Sequence, residues 1–135
     1  MEKYKISYLS DLSTECTHSS GAVIRTDAPK DNQGKGELFS PTDLLAVSLG
    51  SCMLTMMAIS ARQWKVDLKG TIVDVQKEMS VDSPRRIIRL IVRFRCPVHV
   101  STDVQKKLEE AAIHCPVHAS LHPDIKQEIE FNWGF

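Results

Sequence analysis

Hydrophobic and polar positions follow different rhythms along this chain. From Lys3 to Leu9, Tyr4, Ile6 and Tyr8 alternate with Lys3, Lys5 and Ser7, the two-residue period of a half-buried strand. Leu12 to His18 and Ala22 to Thr26 predict a second and a third strand, with Ser19-Ser20-Gly21 as the turn between them. The polar stretch DAPKDNQGKGE reads as a loop. The pattern then changes completely. Between Leu44 and Ala61 there is no charged side chain, and Leu, Ala and Met fill most positions, so helix propensity is high. Ser40 suits an N-cap, Pro41 the first helical position and Asp43 the first turn, while Arg62 and Lys65 lie near the end. Such a helix would run about 33 Å. It is apolar on nearly every side and so calls for burial all round.

Alternation returns from Val66 to Met79, with a change of phase at Gly70-Thr71 that predicts a bulge. Asp82-Ser83-Pro84 turns the chain. Arg85 to Cys96 places Ile88, Leu90, Val92, Phe94 and Cys96 on one face; Arg85, Arg89, Arg93 and Arg95, with Ile87 and Ile91 between them, form the other. Ser101 or Thr102 caps an amphipathic helix to Ile113, built on Val104, Leu108, Ala111 and Ala112. Cys115-Pro116 opens a short helical segment to Leu121, and Ile125 to Trp133 alternates as the last strand. The order βββ-α-ββ-α-α-β predicts an α+β fold, mostly antiparallel, with one sheet of all the strands around a long central buried helix. At 135 residues the chain is expected to be a single domain, 1–135. One sheet cannot cover the helix on all sides, so a symmetric partner is expected to supply the rest, as an intertwined homodimer.

Charge narrows the partners. Lys plus Arg and Asp plus Glu both number 17, for a net charge of zero, which argues against non-specific binding to nucleic acid or an anionic membrane. The arginines of the Arg85–Cys96 strand lack aromatic interleaving and read as a solvated face. MEKYKISYLSD does not resemble a signal peptide, so the cytoplasm is the expected compartment. The apolar helix has about the length of a membrane span, but Ser48, Gly50, Ser51, Thr55 and Ser60 dilute it, which favours a core helix.

Four cysteines, Cys16, Cys52, Cys96 and Cys115, are widely spaced with no CxxC, a pattern of reduced, reactive or metal-binding thiols. Cys52 sits mid-helix in GSCM with no basic residue within a turn. Packing alone accounts for a free cysteine there. Cys115 precedes Pro116 and can take an N-cap position, where unpaired N–H groups favour a thiolate; His114 and His118 are adjacent. The tetrapeptide CPVH occurs twice, at Cys96–His99 and Cys115–His118, and two C-x-x-H pairs offer a tetrahedral zinc set, with His122 as a further ligand. The inward position of Cys96 opposes that reading. Cys16 and His18 are taken as structural. Met53, Met56 and Met57 suit core packing or an adaptable pocket for an apolar substrate tail.

The block GKGELFSPTDLLAVSLGSCMLTMMAISAR, followed downstream by HCPVHASL, resembles the OsmC/Ohr family of osmotically inducible and organic hydroperoxide resistance proteins. The element order fits over essentially the whole chain. The resemblance implies an intertwined homodimer with active sites at the subunit interface, and a cysteine-pair peroxidase acting on organic hydroperoxides in oxidative stress defence. Carried onto this chain, Cys52 would be the peroxidatic thiol, oxidised to a sulfenic acid, and Cys115 the resolving thiol. The resulting disulfide would be reduced by an external dithiol. This reading needs no cofactor and no metal. In the hydroperoxide resistance branch the position of Thr42 is a Glu that works with an N-terminal Arg. Here Thr42 is followed by Asp43, and the Arg that precedes the helix is Arg25, so the chain looks closer to the general OsmC-like branch. The alternative is a non-enzymatic ligand- or zinc-binding protein on the same fold.

Overall fold

The computed structural model describes residues 1–134, and the chain resolves into two compact units, Met1–Leu45 and the remainder from Ala46. In the first unit, short connections dictate the pairing. Strands β1 (Lys5–Ser10), β2 (Ser13–Thr17) and β3 (Val23–Thr26) form an antiparallel sheet in that order. The β1–β2 turn is made by Asp11 and Leu12, both at positive φ, the backbone twist that a tight hairpin needs. Ile6, Cys16 and Ile24 fall side by side on one face. The loop that follows is held from within: the two carboxylate oxygens of buried Asp27 accept the Ala28 and Glu37 backbone N–H groups. Gly34 passes so close to Ala28 that a Cβ there would lie 1.8 Å from the Ala28 carbonyl oxygen.

Helix α1 spans Pro41–Ala61 and ends in a 3₁₀ turn, Arg62–Trp64. Its start is a reciprocal capping box: the Asp43 N–H donates to Ser40 Oγ (3.1 Å) and the Ser40 N–H donates to the Asp43 carboxylate (2.8 Å). The segment Pro41–Trp64 is long and apolar enough to cross a membrane by length and composition, a property it shares with core helices.

In the second unit β4 (Ile72–Met79) pairs antiparallel with β5 (Ile87–Cys96), and β6 (Lys126–Trp133) pairs parallel to β5 on its other side. Helices α2 (Thr102–Ile113) and α3 (Pro116–Ser120) lie in the β5–β6 crossover. The inner face of the sheet aligns Val75, Val92 and Ile129, then Val73, Phe94 and Phe131, whose two rings stack at 4.7 Å. Leu90, Val92, Phe94 and Cys96 form one core with Leu49, Met53 and Met57 of α1 and with Leu108 and Ala112 of α2. Each large side chain buried there contributes about 1.5–3 kcal/mol. Gly50 lets α1 settle on β4, since a Cβ would lie 2.7 Å from Val75 Cγ2. On the outer face, Arg89 bridges Glu78 (3.0 Å) and Glu128 (3.4 Å), Arg93 meets Glu130 (3.2 Å) and Arg95 meets Asp74 (3.0 Å). The arginine face is therefore neutralised across the strands and solvated.

The element order and α+β class agree with the sequence reading; three details differ. The strands make two three-stranded sheets, not one, because local turns satisfy β1–β3 among themselves and a long loop and helix separate them from β4. The last pairing is parallel, since two helices carry the chain back before β6. The expected strand from Val66 begins only at Ile72: Gly70 (φ +90°) sits in a turn closed by the Thr71 N–H on the Leu68 carbonyl, and the bulge lies at Glu78/Met79. Within the single chain, α1 is buried along one face. Leu49, Met53 and Met57 are covered, whereas Val47 is 44% and Ile59 53% exposed, because the sheet of this unit reaches one side of the helix.

Candidate functional site

Two thiols meet in the second unit. Cys52 lies at mid-α1 and is half-buried, next to inward-facing Met53 and outward-facing Ser51. Cys115 is the N-cap of α3, held extended by its backbone (φ −93°, ψ 147°), with Pro116 opening the helix behind it. Its side chain is 1% exposed, and its sulfur accepts the His118 backbone N–H at 3.1 Å. The Cys52 side chain lies close enough to Cys115 to perturb its thiol. Residues separated by most of the second unit are thus brought together by packing of the crossover against α1.

The electrostatics of Cys115 reverse what its local sequence suggests. The N-cap position does supply a stabilising donor, the His118 N–H. Burial outweighs it, however, and pushes the thiol above its ordinary value; Cys52 alongside pushes it further the same way. Burial likewise pushes the Cys96 thiol up, and the nearby Thr71 side chain opposes the shift. Cys96 and Cys115 are thus both biased toward the neutral thiol.

The remaining candidates sit elsewhere. The two CPVH segments do not assemble a zinc set: the His99 ring lies against Gly134, His118 Nδ1 is bonded to the Gln127 side chain, and His122 Nδ1 accepts the Asp124 N–H. Among the described residues, no group of three or more His, Cys, Asp or Glu side chains is placed to hold a metal ion. In the first unit Thr42 shares a hydroxyl contact with Ser40, Asp43 closes the capping box, and Arg25 is ion-paired with Glu15 at 3.1 Å. Cys16 lines an apolar cavity of about 450 Å³ with Tyr4, Ile6 and Ile24, while His18 contacts Ser20 and Glu2.

On another face of α1, Val47, Gly50, Ser51, Leu54, Val73 and Val75 line a groove of about 320 Å³ between α1 and β4; neither Cys52 nor Cys115 is among its lining residues. The methionines divide: Met53 and Met57 are fully buried in the core, and Met56 packs against it from the edge.

A family model described as OsmC-like protein matches residues 34–130, a span that contains both thiols. The chain belongs to the OsmC-like family. A crystal structure from Psychrobacter arcticus 273-4, whose name proposes an osmotic stress induced and detoxification response protein, is 44% identical to this OsmC-like chain. It superposes with a TM-score of 0.92, covering 98% of this chain and 96% of that one. Two more distant structures share the fold. An organic hydroperoxide resistance protein OsmC from Legionella pneumophila is 11% identical, with a TM-score of 0.76 over 98% of this chain and 96% of that one. A structure from Vibrio cholerae whose name proposes an organic hydroperoxide resistance protein, with captopril in one of its active sites, is 18% identical, with a TM-score of 0.73 over 96% and 91%. Comparison with curated proteins returns no match.

Sequence reasoning on this OsmC-like chain singled out His118 but not its partner, Gln127. The signal was present. Along β6 the inward positions read Ile125, Gln127, Ile129, Phe131 and Trp133, and Gln127 is the polar exception on an otherwise apolar face.

Proposed function

We propose that this protein is a thiol-dependent peroxidase that reduces organic hydroperoxides, with Cys52 as the peroxidatic and Cys115 as the resolving cysteine. The observation that carries the reading is the closeness of the two side chains, in a unit where neither is in a preformed disulfide. Of the two, Cys52 is the more accessible, which suits the sulfur that must meet a substrate. Its thiolate would attack the hydroperoxide: an S–O bond forms, the O–O bond breaks, and the alkoxide leaves and takes up a proton as an alcohol. Cys115 would then displace the oxygen of the sulfenic acid, giving a Cys52–Cys115 disulfide and water. An external dithiol would return both thiols by exchange, itself becoming a disulfide.

The proposal takes residues 1–135 as one OsmC-like domain acting in the cytoplasm as a homodimer. The apolar face of α1 bearing Val47 and Ile59 supports a partner, since so large an uncovered helix face is costly in water. The test is hydroperoxide consumption coupled to a dithiol, with alkyl hydroperoxides set against hydrogen peroxide. Cys52→Ser should abolish turnover, and Cys115→Ser should stop at one sulfenic acid per site. Full turnover by Cys52→Ser, or no peroxide-induced Cys52–Cys115 crosslink in a mass map, would sink the mechanism.

A further inference from the structure

We propose that the His118–Gln127 side-chain pair is the positioning device for Cys115, clamping the first turn of α3 to β6 so that the sulfur stays against Cys52. This role rests on the peroxidase reading for its consequence in catalysis, but the clamp itself can be tested without it.

Helix α3 has five residues, Pro116–Ser120, too few to hold a conformation unaided. Something outside it must fix the turn whose N–H, that of His118, meets Cys115 Sγ. The His118 side chain does so. Gln127 presents its amide oxygen, which can only accept, so His118 Nδ1 carries the proton and donates. Residue 118 thus carries two bonds at once, one from its backbone to the sulfur and one from its ring to the sheet. Gln127 is paired in register with Leu90, a fully buried core residue, on the inner face of β6. A polar amide facing an apolar core is destabilising unless it is bonded, and His118 supplies the bond.

In the resolving step, Cys115 loses a proton and attacks the sulfenic sulfur of Cys52. An S–S bond forms, the S–O bond breaks, and the departing hydroxide combines with that proton as water. Two sulfurs must meet in line, so the rate depends on how much of the time the α3 turn holds Cys115 in place.

The experiment has two arms in the full chain, comparing His118→Ala, Gln127→Ala and His118→Asn; the asparagine amide keeps a donor near the position of Nδ1. The first arm needs no peroxide: in a Cys52→Ser background, alkylation of Cys115 by iodoacetamide is followed by mass mapping, with buried Cys96 as the internal control. Loss of the clamp should speed Cys115 alkylation about five- to tenfold, the factor for one net hydrogen bond, while Cys96 is unchanged and His118→Asn restores the slow rate. The second arm, with Cys52 present, follows disulfide formation after one equivalent of alkyl hydroperoxide. The alanine variants should slow that phase by a similar factor while sulfenic acid accumulates, and the double alanine variant should be no slower than either single one. Unchanged Cys115 alkylation in both alanine variants, or equal acceleration at Cys96, would overturn the clamp whatever the second arm shows. Faster Cys115 alkylation with no oxidation of Cys52 would leave the clamp standing and remove the peroxidase reading instead.

Discussion

Gly50→Ala sets two physical rules against each other at the contact that seats α1. Helix propensity alone predicts a gain of about 1 kcal/mol, because glycine in a helix interior is worse than alanine by that amount. The structure predicts a loss. The added Cβ would lie 2.7 Å from Val75 Cγ2 and 3.3 Å from Val73 Cγ1. Both neighbours are β-branched and stiff at χ1, and both sit on a strand paired along its length with β5, so neither can swing away cheaply. Overpacking of this kind costs about 2–3 kcal/mol, toward the upper end of its usual span. The net expectation is a destabilisation of about 1–2 kcal/mol, or roughly 3–8 °C in melting midpoint for a chain of this size. Urea unfolding followed by circular dichroism, at fixed protomer concentration, measures it directly. A second variant identifies the cause: Val75→Ala removes the closest atom, so the double variant should be more stable than the two single effects predict by about 1–2 kcal/mol. If Gly50→Ala matches or exceeds the parent in stability, or the pair is additive, close approach to β4 is not the reason for glycine at this position.

Three further expectations concern other parts of the molecule. Burial raises the Cys96 and Cys115 thiols in the folded chain, so each contributes stability that is complete below the ordinary thiol value of 9.0 and is lost as pH rises through the higher folded value. The urea midpoint of the reduced protein should therefore fall above about pH 9, and less steeply in Cys96→Ser; the same slope in that variant would contradict the assignment. Ser40→Ala removes a buried cap and should cost about 1–2 kcal/mol, read by the same unfolding curves, with a change within error counting against the capping box. Arg93→Ala breaks an exposed contact to Glu130 and should shift stability by less than about 1 kcal/mol, an effect that molar salt should erase.

The elements most readable from sequence are those whose own residues decide them. β5 declares itself by strict alternation, and α1 by a charge-free run opened by Ser40-Pro41 and Asp43. The start of β4 was hidden because Val66 and Leu68 look like strand residues, while the conformation there is set by Gly70 and by the Lys69 N–H on the Asp67 side chain. The direction of β6 could not be read at all, since alternation is the same in a parallel and an antiparallel strand. At the site, the N-cap role of Cys115 was legible from Cys-Pro, but its raised pKa was not, because desolvation is a property of the packed core and not of neighbours in sequence. Nor do local residues reveal that Cys52 and Cys115 lie close together; the expectation came from family resemblance.

The parallel pairing of β6 bears on the order in which the chain can assemble. A hairpin such as β4–β5 closes as soon as its turn exists, but a parallel neighbour must wait for the entire crossover, so its contacts are among the last to be gained. Gln127 belongs to that late strand, and Cys115 to the crossover it holds down. On a ribosome delivering residues from the N-terminus, the segment with Cys52 emerges early and its counterpart sulfur is lodged only when the final strand arrives. The ordered placement of Cys115 beside Cys52 is therefore tied to completion of the fold.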